Sequence, residues 1–172
     1  LDKNWQPQGL GSAVALDAID VAAISLGRTR DDMRGHCVFT TIINTNSPLK
    51  LDGAMAMGII EMARLKQVCV VTPFTLLGAM APVTLAGAMV EQNAEVLACL
   101  ALSQLANPGA PFVYGSFTSN VDMKSGAPAF GTPEYMRACI AGGQLARRYK
   151  LPYRTSSTNA ANSVDAQAAY ET

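Results

Sequence analysis

Hydroxyl, amide and aromatic side chains cluster just after four short apolar runs. They are Asn44, Asn46 and Ser47; Thr72 and Phe74; Ser116, Phe117, Thr118, Ser119 and Asp122; and Ser156, Thr158 and Asn159. The single histidine, His36, precedes the first run, so no Ser/His/Asp set can form at these positions. Paired carboxylates are also missing there, since Asp122 stands alone. This inventory suits binding and orienting a small molecule better than general acid–base work. Phe74, Tyr114, Phe117 and Phe130 lie on or just after the runs, and aromatic faces attract quaternary ammonium groups. Ordinary packing is the alternative reading for each of them. Asp122 reads equally well as a ligand contact or as a loop residue accepting from nearby amides. Glu91 and Glu95, one helical turn apart, read as a solvated or ion-pairing face. The four cysteines, Cys37, Cys69, Cys99 and Cys139, never pair as CxxC and read as small buried residues. With one histidine, a four-ligand metal site is hard to assemble.

The elements that position these residues repeat. A helix is expected over 12–26, with Gly27 as its C-cap. The β-branched run 38–43 leads through a polar loop to a helix capped by Asp52 and ending near residue 66. The run 68–71 leads to a helix over about 82–106, stopped by Asn107-Pro108-Gly109. The run 111–114 opens the longest polar stretch, which ends where Thr132 caps a helix and Pro133 takes its first position. That helix ends near residue 149. A strand near 152–156, a loop over 157–163 and a helix begun by Asp165 complete the series. The pattern is βαβαβαβα, which implies parallel strands joined by helical crossovers. The strands are almost wholly apolar, as expected where both faces are covered. The longer polar loops follow the strands rather than the helices. That asymmetry belongs to an eight-stranded βα barrel, with its site on the C-terminal face of the strands. Two architectures remain at this point. The favoured fold class is α/β, with parallel βα units making about half of a (βα)8 TIM-type barrel over 1–172. The other is an open doubly wound sheet, weakened by the lack of GxGxxG after the first strand.

Composition bounds the partners. Thirteen basic and thirteen acidic residues cancel, and a sequence pI near 6.8 gives no electrostatic case for nucleic acid. Residues 85–102 are apolar enough to suggest a membrane span, but Glu91, Gln92, Asn93 and Glu95 interrupt them, which points to a buried helix. No signal peptide is visible, so a cytoplasmic location is expected. Only 15% of residues are charged and 49% are hydrophobic, which implies either a surface covered by something else or a chain that is part of a larger body. Leu1 is not methionine, and Thr172 falls inside a helical pattern, so both ends read as cuts. Strand edges exposed by such a cut imply self-association, hence a homo-oligomer.

Longer motifs then carry a resemblance. They are Asn44-Thr45-Asn46-Ser47-Pro48-Leu49, Thr72-Pro73-Phe74, the run from Gly78 to Thr84, Tyr114-Gly115-Ser116-Phe117, Phe130-Gly131-Thr132-Pro133-Glu134, and the run from Val164 to Glu171. In this order they resemble the trimethylamine methyltransferase family, including its members without pyrrolysine, such as glycine betaine:corrinoid methyltransferases. The resemblance covers the chain from about residue 13 to its end. It implies a βα barrel that takes a methyl group from a methylated amine and passes it to Co(I) of a corrinoid. The corrinoid is carried on a separate protein, so this chain is expected to bind no cofactor tightly.

The resemblance also implies site residues. Aligned through residues 164–171, the family's pyrrolysine position falls near Thr158, and Ser156-Ser157 stand where many relatives have glycines. A threonine there removes pyrrolysine chemistry, which shifts the expectation from trimethylamine to a quaternary amine. Its nitrogen already carries the charge that makes it a leaving group. Thr158 and Asn159 are therefore expected at the methyl-transfer centre with Ser156 beside them. Phe74, Tyr114, Ser116, Phe117 and Asp122 are expected around the substrate.

Overall fold

The computed structural model of the chain describes residues 7, 10–156, 161 and 163–171. Helix α1 (Ser12–Ser25) starts after Gly11 and buries Ala15, Ala18, Ile19, Ala22 and Ala23. Small side chains on that face let it lie close against the next helix. The larger apolar residues Val14, Val21 and Ile24 are exposed. Gly27 at φ 64° ends the helix, with the Arg28 amide closing back on the Ala23 carbonyl at 2.9 Å. A 3-10 turn, Asp31–Gly35, follows and buries Met33.

Four βα units come next. Strand β1 (Thr40–Ile43) precedes α2 (Gly53–Arg64), where Asp52 caps the Met55 amide at 2.8 Å as expected. Strand β2 (Val68–Val71) precedes a two-residue strand β3 (Leu76–Leu77) and α3 (Leu85–Ala106). This helix starts three residues later than expected, because the Thr84 hydroxyl takes the Gly87 amide at 3.2 Å. Strand β4 (Phe112–Ser116) leads to β5 (Ser119–Val121) and β6 (Pro128–Ala129), then to α4 (Pro133–Arg148). Strand β7 (Tyr153–Thr155) and helix α5 (Ala166–Glu171) end the described chain.

The main sheet is wholly parallel, in the order β1-β2-β4-β7. Each strand lies beside the one before it in the chain. A doubly wound sheet needs a reversal of that order, and none occurs among the described strands. The helices follow suit: α1 contacts α2, α2 contacts α3, and α3 contacts α4. They form one continuous layer. Register pairing puts Ile43, Val71, Tyr114 and Tyr153 on the face under that layer. They join Ile19, Ile59, Met62, Val96 and Cys99 in one core. Ile42, Val70 and Val113 share the opposite face, as do Gly115 and its neighbour Arg154.

The long polar stretch after β4 is not a structureless loop. It folds into a second sheet, β3-β5-β6, in which β3 pairs with β5 parallel and β5 with β6 antiparallel. Ser119 is fully buried within it, its hydroxyl donating to the Ala129 carbonyl at 2.8 Å.

Three of the four cysteines are buried, whereas Cys37 is exposed, contrary to expectation. Among the described residues, α3 is the one helix long and apolar enough to cross a membrane. Its inward face carries Gln92, Glu95 and Ser103, all buried.

Candidate functional site

Where the strands of the main sheet end, Ile42, Asn44, Thr72, Phe74, Phe117 and Arg154 line an open cleft of about 390 Å³. The strand-to-loop junctions of the first three βα units reach it, and β7 of the fourth contributes Arg154. Phe74 and Phe117 stack with centroids 5.1 Å apart and planes 24° apart. Phe130 packs at 5.3 Å from Phe117, and Tyr135 meets both Phe117 and Phe130 edge-on. One side of the cleft is therefore an aromatic wall held by its own ring contacts.

Backbone and hydrogen-bond anchors set this wall in place. Gln92, fully buried on α3, accepts from Ser116 Oγ at 2.8 Å and Thr118 Oγ1 at 2.5 Å. Its amide also donates to the Tyr114 hydroxyl at 3.3 Å. Phe117 lies between the two residues Gln92 grips, so α3 fixes the chain on both sides of that ring. Thr118 also bonds Thr75, tying the loops after β2 and β4 together. Polar side chains inside an apolar helix are retained where every partner is satisfied. Gln92 interrupts an apolar run in the sequence, and that interruption is the only signal of its role.

The β1 loop is held from the same helix. Glu95, 4% exposed, accepts from Thr45 Oγ1, from Ser47 Oγ at 2.9 Å and from the Leu49 amide at 2.7 Å. It is a buried anchor, not the solvated face expected of it. Asn44, at the start of this loop, reaches the cleft. Glu91, one turn earlier, has its carboxyl pushed above the usual range by burial and by the neighbouring Glu95 charge.

The expected site residues divide into groups. Phe74 and Phe117 come together in the cleft. Tyr114 and Ser116 do not: strand alternation turns both toward the helix layer, where they are 0% and 1% exposed. The Tyr114 hydroxyl donates to Asn93 Oδ1 at 3.2 Å. Burial pushes its phenol up to about 12, so it stays neutral. Asp122 sits in the exposed β5–β6 turn, accepting from Ser125 Oγ at 2.6 Å and the Lys124 amide at 3.1 Å. Those two bonds hold its carboxyl below the usual range. Ser156 bonds the Tyr135 hydroxyl and so touches the back of the aromatic wall. Thr158 and Asn159 lie outside the described residues.

Two cleft-side residues escaped the sequence reading. Tyr135 is fully buried behind Phe117; the Thr132 cap, bonded to the Tyr135 amide at 3.3 Å, aims it there. Arg154 projects from β7 into the cleft, and among the described residues it makes no ion pair. Its signal was a lone cation in a short strand, which burial-based reasoning passes over.

A sheet of consecutive parallel βα units with a ligand-sized cleft at the strand ends defines an α/β binding or catalytic domain. The trimethylamine methyltransferase (MTTB) family model matches residues 2–172, and the chain belongs to that family. It is 37% identical over 171 residues to the glycine betaine methyltransferase of Desulfitobacterium hafniense (strain Y51), covering 99% of this chain and 36% of that protein. It is 35% identical over 153 residues to the trimethylamine methyltransferase MttB of Methanosarcina thermophila, covering 88% of this chain and 32% of that protein. The same holds for the MttB of Methanosarcina barkeri, with 88% and 31% covered. The chain thus spans about a third of the length of the curated relatives it matches.

Proposed function

We propose that this chain supplies part of the substrate cleft of a methyltransferase that removes a methyl group from a quaternary amine. The observation that carries this reading is the stacked pair Phe74–Phe117 in an open cleft at the strand ends. Aromatic rings attract a quaternary ammonium without needing a hydrogen-bond donor on it. When a methyl group leaves such a nitrogen, the N–CH3 bond breaks and its electron pair returns to nitrogen. The donor departs as a neutral tertiary amine, and no proton has to move. A cleft without a general acid–base pair is sufficient for that chemistry. The work left to the chain is to hold the ammonium, exclude water and aim one methyl outward.

In this reading the βα units form about half of a (βα)8 barrel, and the cleft is its C-terminal face. The unreversed strand order and the single helix layer support it. Thr158 and Asn159 sit near the transfer centre with Ser156 beside them. The methyl acceptor is Co(I) of a corrinoid carried by a separate protein, which supplies the nucleophile when docked at the open mouth. A cytoplasmic, homo-oligomeric enzyme completes the reading.

The test is methyl transfer from glycine betaine to free Co(I) cobalamin by the full-length protein, followed by visible absorbance. Transfer is expected; binding without transfer from any quaternary amine would leave an amine-binding module instead. Phe117→Ala is expected to weaken quaternary amine binding by about 0.5–2 kcal/mol in calorimetry. Unchanged affinity would remove the aromatic wall from the site.

A further inference from the structure

Helix α3 carries its polarity inward. Its buried face holds Gln92, Glu95 and Ser103, while every exposed residue on it is apolar: Ala86, Val90, Ala94, Ala98, Ala101 and Leu105. A surface helix normally shows the reverse. Val90 is 72% exposed and Leu105 84%, so none of the described residues covers the stripe. Completing the barrel would not cover it either. In the helix layer α3 stands between α2 and α4. Further βα units extend that layer past α1 or α4, beside α3 rather than over it. The cover has to come from a second body.

The order of side chains along the stripe points to a second copy of this chain. Val90 and Leu105 lie equally far from a midpoint between Leu97 and Ala98, and so do Ala94 and Ala101. A surface met by its own copy across a two-fold axis has to be self-complementary in this way. An antiparallel pair centred there sets Val90 opposite Leu105 of the partner subunit, and Ala94 opposite Ala101 of the partner subunit. The sizes also fit. Residues 86, 90, 94 and 98 form a ridge of four-residue steps, and helices meeting on such ridges cross at about −50°. The gap between crossed helices is narrowest at the crossing and widens outward. Alanines stand at the crossing, and the larger Val90 and Leu105 stand where the gap opens. Two apolar hollows flank the stripe. One, of about 120 Å³, is lined by Leu49, Leu51 and Ala98; the other, of about 720 Å³, by Leu85, Ala86, Met89 and Leu145. Lys50 and Arg148, one in each hollow, supply a charged rim. The helix has 22 residues and is about 33 Å long. With the hollows, at about 10 Å per helix, the face approaches the roughly 800 Å² that each partner buries in a stable dimer.

We propose that α3 is the contact of a two-fold homodimer, packing antiparallel against α3 of a second copy with the two Ala98 side chains at the crossing. This gives the homo-oligomer of the reading above its face, and it does not depend on the substrate.

Sedimentation equilibrium of the full-length protein should give a dimer or a larger even-numbered oligomer. Ala98→Arg forces a guanidinium from each subunit into an apolar contact. It should raise the dimer dissociation constant roughly 100-fold or more and halve the mass, with far-UV circular dichroism unchanged. Crosslinking reads the arrangement without relying on that variant. In a Cys37→Ser background, which removes the exposed thiol, a short bismaleimide should join Ala98→Cys to its own copy. Val90→Cys and Leu105→Cys should each stay unlinked alone and become linked when co-expressed. A monomeric wild type overturns the dimer, and leaves the methyl-transfer reading standing if it still demethylates glycine betaine. An oligomer that keeps its mass in Ala98→Arg, and gives no Ala98→Cys product, uses another face and overturns this one. A stripe covered by the rest of the same chain gives the same absence of product. Self-linking of Val90→Cys in place of the mixed product overturns the antiparallel order.

Discussion

Replacing Glu95 by leucine is expected to destabilise the full-length protein by about 3–5 kcal/mol, because three buried neutral donors lose their acceptor at about 1–3 kcal/mol each, less what the hydroxyls recover by rotating. The carboxylate takes three donors from one loop: the Thr45 and Ser47 hydroxyls and the Leu49 amide. Among the described residues no cation lies within ion-pair distance of it, so these donors alone offset its burial. Leucine would fill the space but strand all three. The Leu49 amide suffers most, because a hydroxyl can rotate to another acceptor and an amide cannot. Glu95→Gln keeps one acceptor oxygen and should cost only about 1 kcal/mol. Urea unfolding monitored by circular dichroism measures both. A loss below about 1 kcal/mol in the leucine variant would show that the loop holds its shape unaided. The same variant should bind glycine betaine more weakly, since Asn44 sits one residue before the pinned Thr45.

Which parts of this molecule could be read from its sequence follows from the range of the interactions involved. Helix starts at Asp52 and Thr132 were legible because a cap is a contact between residues three apart. The parallel order followed from alternation of apolar runs and helical patterns, which is again local. That Phe74 and Phe117 lie together is legible because residues just after strands share one end of a parallel sheet. The failures are all long-range. Glu95 looked like a solvated face until a loop 46 to 50 residues away closed over it. Residue type puts Tyr114 in the pocket, but its place in the strand register turns it to the helices, where Gln92 and Asn93 meet it. The hairpin β5–β6 has the sequence of a loop, because its strands are three and two residues long and hold few β-branched residues. It exists because β3 offers a backbone edge to pair with.

The cleft also shows why its aromatics are easier to foresee than its cation. An aromatic after a strand suggests a cation site by type alone. Arg154 is placed in the cleft only by the register that sets it beside Gly115 on the adjoining strand. No short-range pattern joins residues 115 and 154.

Gly115→Ala should be among the most damaging one-carbon changes available in the chain. Its new Cβ would sit 2.2 Å from Thr72 Oγ1, 2.3 Å from the Val71 carbonyl oxygen and 2.8 Å from the Val71 carbonyl carbon. A threonine can change rotamer; the backbone of the adjoining strand cannot move without disturbing the ladder that pairs Val71 with Ile43 and Tyr114. Overpacking of this kind costs typically 1–3 kcal/mol, and the backbone contacts place this site at about 3. Relief by Thr72→Ala in the double variant separates the two obstacles. The clash with Val71 persists there, so little stability should return. Gly35→Ala is the control, because nothing lies within 4 Å of its added carbon, and it should stay within about 0.5 kcal/mol of wild type. Full recovery in the Thr72→Ala, Gly115→Ala pair would show that the hydroxyl alone demands glycine. Partial or no recovery makes Gly115 the point where two strands approach too closely for any side chain.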